Sequence, residues 1–239
     1  MGVPLAPAGR KEMVLLTLLL GGAAVLCFGL AGRGHVFLWP AGALFAVLWL
    51  GGLAFFRDPE RPIPREADIM VSPADGRVTE ITRLDHHDEV GGPALRIGIF
   101  LSVFDVHINR SPCEGVVKSV RYQQGKFLDA RHPDCGACNE ANTVVLETAN
   151  GPVVVRQVAG MIARRIVCSV QPGDRVQLGQ RIGLIKFGSR TELIVPFQLF
   201  SPAVQVGDKV IGATSVLMRQ EHKSAPITPE LMKLEKRNA

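Results

Sequence analysis

Aromatic residues are scarce in this chain, 6% of 239, with one tyrosine and two tryptophans, and no stretch interleaves them with lysine or arginine. A base-stacking nucleic-acid surface is therefore not expected. The five cysteines, one of them (Cys27) inside an apolar run, do not make a disulfide framework. Cys135-Gly-Ala-Cys138, with His132 three residues before it, has the spacing of half a zinc or redox site. No second pair follows, and a structural zinc needs four ligands, so no metal is expected. The chain has no His-x-His pair, which argues against a zinc peptidase on a β-sandwich. It also has no Met-Lys or Asp-Lys-Ala sequence at a hairpin tip, which argues against a lipoyl-type carrier.

Charge is missing from two long stretches, Met13 to Gly32 and Val36 to Phe56, and these explain a positive mean hydropathy of +0.20. Each is long enough to cross a hydrocarbon core about 30 Å thick as a helix. Only Arg33-Gly34-His35 separates them, so they read as a tight hairpin over residues 1–56 with both ends on one side of a membrane. Trp39 and Pro40 would anchor or kink the second run. Arg10 and Lys11 precede the first run, and Arg57, Arg61 and Arg65 follow the second, which places those ends, and the rest of the chain, on the cytoplasmic side of a cell membrane. A cleaved signal peptide fits less well, because the first run is long for a signal core and a second follows at once. The net charge of +5 suits anionic headgroups.

Three prolines in residues 57–66 (Pro59, Pro62, Pro64) predict an extended connector. Residues 67–222 are then mostly short Val/Ile-rich strands punctuated by Asp-Gly, Asn-Gly and Pro-Gly turns, with one candidate helix at Gln124 to Ala130. The expected fold is mainly β, a barrel-sandwich-like β-sandwich behind a helical membrane hairpin. "QPGDRVQLGQRIG" and "QVGDKVIGATSVL" share a Gly-Asp-x-Val-x-x-Gly turn, either a faint repeat or two unrelated hairpins. The tail, residues 223–239, reads as poorly ordered.

Within "LIKFGSRTELIVP" a strand-like run is broken by Gly188-Ser189. On its own the pair reads as a β-bulge or tight bend. A serine after glycine can also attack the preceding carbonyl, because glycine admits conformations that a β-carbon would block.

The motifs "FFRDPERPIP", "VSPADGRV", "IGIFLSVFDVHINRSPCEG", "YQQGKF", "NEAN", "RQVAGMIARRIV" and "GDRVQLGQRIGLIKFGSR" occur in order from about Phe55 to Pro196. With them the chain closely resembles the phosphatidylserine decarboxylase proenzymes, in particular the short bacterial form. The resemblance implies self-cleavage between Gly188 and Ser189 into a large β chain, 1–188, and a small α chain, 189–239. The two would stay together as a heterodimer, with a higher oligomer left open. Ser189 would become a pyruvoyl group, the cofactor that forms a Schiff base with the substrate. Decarboxylation leaves electrons on the α carbon for which protein side chains offer no good sink, whereas such a carbonyl does. The substrate would be phosphatidylserine in the membrane, the product phosphatidylethanolamine, and no pyridoxal phosphate lysine is required, so Lys186 would have no such role.

The resemblance also assigns residues. Asp75 in "SPADG" matches an acidic residue tied to maturation, although an Asp-Gly turn explains it equally. Asp105 and His107 in "FDVHINR" match an Asp-x-His motif, with His107 expected to titrate near neutrality and protonate the α carbon. The better-known long form has a second histidine where this chain has Arg110, and Leu-Gly-Ser-Thr where this chain has Phe187-Gly188-Ser189-Arg190. Either His107, Asp75 and Asp105 share the work of self-cleavage, or Arg110 and local strain assist it. Arg110, Arg190 and Lys126 are candidate phosphate contacts, with a plain solvated role as the alternative. Phe100, Phe104 and Phe127 are candidates for acyl-chain contact, though such residues are more often core. His86-His87 reads as an exposed turn.

Overall fold

The computed structural model describes residues 4–129, 135–161, 165–186 and 188–221; His132, Phe187 and the tail from Lys223 lie outside these. The first apolar run forms α1 (Arg10–Leu16), a π turn at Thr17–Gly21 and α2 (Gly22–Ala31); the second forms α3 (Trp39–Phe55). At the π turn the Thr17 hydroxyl donates to the Met13 carbonyl at 2.8 Å and accepts from Trp49 Nε1 at 3.0 Å. A polar contact thus ties the two helices where apolar faces alone would slide. Pro40 lies in the first turn of α3, where its missing N–H costs nothing, so it starts the helix and does not kink it.

Helical stretches Pro7–Ala31 (25 residues) and Val36–Phe55 (20 residues) are long and apolar enough to cross a membrane. Their apolar windows are only 11% and 6% buried, unlike core helices of a soluble domain. The pair suits association with a membrane.

After an irregular connector come β1 (Ile69–Val71), β2 (Gly76–His87), β3 (Gly92–Leu101), β4 (Ile108–Arg110) and β5 (Gly115–Gln123). They are followed by the one-turn helix α4 (Cys135–Cys138), β6 (Ala141–Thr148), β7 (Gly151–Ala159), β8 (Arg165–Cys168) and β9 (Arg175–Val176). The last are β10 (Arg181–Lys186), β11 (Ser189–Pro196), β12 (Phe200–Pro202), β13 (Lys209–Val210) and β14 (Val216–Gln220). Eight strands make one curled antiparallel sheet in the order β13-β2-β3-β11-β7-β6-β5-β9, and two three-stranded sheets, β1-β14-β12 and β4-β10-β8, pack with it. Residues 124–129 contain no helix, only a bridge from Lys126 to Asn139. The short helix falls instead at Cys135–Cys138, where the Asn139 N–H returns to the Cys135 carbonyl at 3.0 Å.

The two Gly-Asp-x-Val turns are alike in space. Gly173 (φ +95°) and Gly207 (φ +101°) take the left-handed conformation, and Asp174 and Asp208 accept from the N–H of Gln171 (2.9 Å) and Gln205 (2.8 Å). They lead into β9 and β13, the two edges of the large sheet.

The main core holds Ile97, Ile99, Leu101, Leu146, Leu193, Leu217 and Met218, each essentially without exposure. Each such side chain contributes about 1.5–3 kcal/mol by burial. A second cluster joins the hairpin to the β domain: Ala6, Phe55 and Phe56 pack on Val106, Ile108 and Leu184. An ion pair reinforces that joint, with the buried Lys186 Nζ on β10 lying 2.6 Å from Oε1 of the half-buried Glu12 on α1.

Candidate active site

Strand register builds the site. Ser189 opens β11, the strand between β3 and β7, and pairs with Leu101 on one side and Ala159 on the other. The turn after β3 therefore arrives beside the Gly188–Ser189 peptide from one flank, and the residue after β7 arrives from the other. That turn carries Asp105 and His107; the residue after Ala159 is Gly160.

Gly188 has φ +64°, a left-handed conformation that favours glycine, and an added Cβ there would meet nothing within 4 Å. Its requirement is thus one of backbone conformation and not of space. Its carbonyl accepts a hydrogen bond from the Gly160 N–H at 3.1 Å. Its own N–H donates to His107 Nε2 at 3.2 Å, while His107 Nδ1 lies 2.9 Å from the Asp105 carbonyl. A carbonyl only accepts, so the proton sits on Nδ1 and Nε2 is left as the acceptor. Ser189 is fully buried, and among the described residues its Oγ has no hydrogen-bond partner. A buried hydroxyl without a partner is costly, which marks a group held for chemistry.

His107 has no exposure and stacks on Phe55, ring centres 4.4 Å apart. Burial depresses its pKa to about 4 against a lesser pull upward from Asp105. The ring is then neutral at pH 7, so the expected titration near neutrality is not what this environment provides. Asp105 anchors the turn, its Oδ2 accepting the Ser102 N–H at 2.8 Å.

Asp75 is occupied elsewhere: Oδ2 lies 2.6 Å from Arg61 Nη2, and Oδ1 accepts the Gly212 N–H at 2.8 Å. Burial raises its pKa above the ordinary range against those two contacts, and the Asp105 charge adds to the rise. Its oxygens face the connector and the 212 turn and do not hydrogen-bond to Ser189.

Both arginines expected at a lipid phosphate are engaged by carboxylates. Arg110 is buried with Nη2 3.0 Å from Asp58 Oδ1, and it also donates to the Gly179 and Pro59 carbonyls. Its work is to clamp the connector. Arg190 pairs with Glu192 (2.9 Å) and with Glu80, which Arg96 also binds. Burial opposes ionisation of Glu80, but hydrogen bonds from Arg96, Thr82 and Arg190 outweigh it and bring its pKa to about 2. Lys126 is exposed, as is Phe127, while Phe104 is exposed at the turn beside His107. Cys135 is buried next to the Arg190 cluster, and Gly136 lets the Glu192 carboxylate approach α4. His86 is exposed and His87 half-buried.

Sequence reasoning left "NEAN" and Gln157 without a role. Asn139 Nδ2 donates to the Ala159 carbonyl at 2.7 Å, and the Ala159 N–H donates to the Glu140 carbonyl at 2.9 Å, fixing the end of β7 where Gly160 begins. Asn142, Gln157, Asn109 and Thr191 form a buried amide ladder with steps of 2.9, 2.8 and 2.9 Å. It locks the strand after His107 to the strand after Ser189. The signal was present, since polar residues inside otherwise apolar strands demand partners.

A family model for phosphatidylserine decarboxylase matches residues 53–218. The chain belongs to the phosphatidylserine decarboxylase family. It is thus of a carboxy-lyase family. A phosphatidylserine decarboxylase proenzyme of Symbiobacterium thermophilum is 50% identical over 182 residues, 76% of this chain and 84% of that one. Proenzymes of the same name from Pelobacter propionicus (42% identical; 89% and 92% covered) and Rhodopirellula baltica (40%; 92% and 89%) align over nearly the whole length. The family match begins at Leu53, at the end of α3, and so takes in β11 and every site residue described above.

Proposed function

We propose that this chain is a proenzyme that cuts itself between Gly188 and Ser189, carries a pyruvoyl group at residue 189 thereafter, and decarboxylates phosphatidylserine to phosphatidylethanolamine. The observation that carries the reading is the Gly188–Ser189 peptide, whose carbonyl is held by Gly160 N–H beside a buried Ser189 hydroxyl that has no partner among the described residues.

Ser189 Oγ attacks the Gly188 carbonyl carbon, its proton passes to the departing Ser189 nitrogen, and an ester replaces the amide. Loss of the Ser189 α proton expels the Gly188 carboxylate and leaves dehydroalanine; water then replaces the nitrogen, which departs as ammonia. Gly160 N–H is placed to stabilise the oxygen charge that builds in the first step. His107 Nε2 is a neutral acceptor that fixes Gly188 by its N–H. Cleavage frees Gly188 to move away, and His107 then becomes available to the substrate.

The pyruvoyl carbonyl supplies the electron sink for loss of CO₂. The residues fit it, because the buried end of β11 shields residue 189 from bulk water while the Phe55 face of His107 adjoins the membrane-side helix. The β chain (1–188) and α chain (189–239) remain one unit, since β11 is held between β3 and β7 along its length. The basic residues Arg10, Lys11, Arg57, Arg61 and Arg65 place the β domain on the cytoplasmic face. Conversion of vesicle-embedded phosphatidylserine by purified protein, abolished by Ser189→Ala, tests this reading; continued turnover by that variant would contradict it.

A further inference from the structure

The turn Ser102 to Asp105 is rigid: the Asp105 N–H donates to the Ser102 carbonyl (3.0 Å), Asp105 Oδ2 accepts the Ser102 N–H (2.8 Å), and the Phe104 N–H donates to Ser102 Oγ (3.3 Å). A turn built this way ought to present polar side chains. It presents Val103 and Phe104 instead, and Phe104 is 83% exposed. Flexibility cannot hide them, because the backbone is pinned.

Across Ser189, Met161 is 60% exposed. Leu101 and Ala159 pair with Ser189 from opposite sides, about 10 Å apart by strand spacing. The two exposed apolar patches thus stand on either side of the cleavage strand. Their depth relative to the hairpin is fixed too. Arg57, the second residue after α3, donates to the Phe104 carbonyl, and His107 stacks on Phe55 at the end of α3. Cations lie at the same end of the hairpin: Arg10 and Lys11 at the start of α1, and Arg165, the cross-strand neighbour of Lys186, which itself pairs with Glu12 on α1.

We propose that Val103, Phe104 and Met161 form a membrane-dipping lip around the site, inserted into the headgroup layer of an anionic bilayer. The lip seats residue 189 at headgroup depth, so that a lipid serine reaches it without leaving the bilayer plane. The occupant is a lipid surface because the patch is tied to the end of the membrane helices through Arg57 and His107, and basic residues lie at that same end. Burial of the apolar side chains and attraction of the basic residues to an anionic surface both favour that insertion. The proposal rests on the reading of the site as acting on a membrane lipid.

The test uses the full chain in phosphatidylethanolamine/phosphatidylglycerol vesicles, with Trp39 and Trp49 replaced by phenylalanine and Phe104→Trp as the probe. Lipids brominated high on the acyl chain should quench the indole strongly, and lipids brominated near the chain end should quench it less. Met161→Trp should behave alike, which guards against a fault of one variant. Emission at the wavelength of a water-exposed indole, unquenched by either lipid, would overturn the lip. Quenching needs no turnover, so the two ideas fail separately. A cleaved, active enzyme with unquenched indoles contradicts the lip alone, and a quenched but inactive protein contradicts the proposed function alone. In the otherwise natural chain, Phe104→Ser should lower kcat/KM about tenfold on vesicle-embedded phosphatidylserine and less on a short-chain monomeric form. Equal loss on both would also overturn the lip.

Discussion

The carbonyl of Gly188 accepts the Gly160 N–H at 3.1 Å, so the peptide bond that precedes Ser189 is polarised toward the attack proposed for the hydroxyl. A single preorganised donor of this kind is worth about 10²–10³ in rate. Gly160→Pro, which removes the N–H, should slow self-cleavage by about that factor, read as uncut chain on a denaturing gel over time. Unchanged processing would remove Gly160 from the mechanism.

Asn139 should act on the same bond from a distance. Asn139→Ala orphans the Leu128 and Ala159 backbone groups and should cost on the order of 1–3 kcal/mol of stability. It should slow cleavage more than an equally destabilising core substitution such as Val155→Ala. Equal slowing by both would mean that Asn139 matters only for folding.

His107 separates positioning from proton transfer. His107→Ala loses the acceptor for the Gly188 N–H and should cleave slowly. His107→Gln places an acceptor near Nε2 and should recover cleavage while remaining poor in decarboxylation. A His107→Gln protein that stays uncut would show that the ring acts as more than an acceptor.

Acid should destabilise the uncut form through the same ring. Its folded pKa of about 4 lies below the ordinary 6.5, so between those values the unfolded chain binds the extra proton. The stability it contributes is fully present above pH 6.5 and falls away toward pH 4, by on the order of 3 kcal/mol. Urea melts of Ser189→Ala across that range should show the loss, and the same melts with His107→Gln added should show a shallower slope.

The Arg190 cluster makes a structural prediction. Arg190→Ala leaves Glu192, 1% exposed, beside fewer cations and should cost about 3–5 kcal/mol. Adding Glu192→Gln should restore part of that. No restoration would mean that the loss came from Arg190 packing against Gly98 and not from charge.

The membrane hairpin and the β strands were legible because uncharged runs and Val/Ile-rich segments between turns each leave a local signature. The pair Gly188-Ser189 was legible only as part of a set of motifs. Partners were not legible, because they depend on pairing between distant strands. Arg110 and Arg190 look like phosphate ligands until the fold brings Asp58, Glu80 and Glu192 to them. His107 looks like a group that titrates near neutrality until α3 lays Phe55 on its face. Gly160 had no signature at all, since its contribution is a backbone N–H.

The central claim is the self-made cofactor, and intact mass under denaturing conditions tests it most directly, with and without a carbonyl reductant in the presence of an amine. Two chains divided at Gly188–Ser189, the smaller lacking a free amino end and gaining mass on reduction, is the predicted result. A single unmodified chain of 239 residues from protein that nevertheless decarboxylates phosphatidylserine would contradict it.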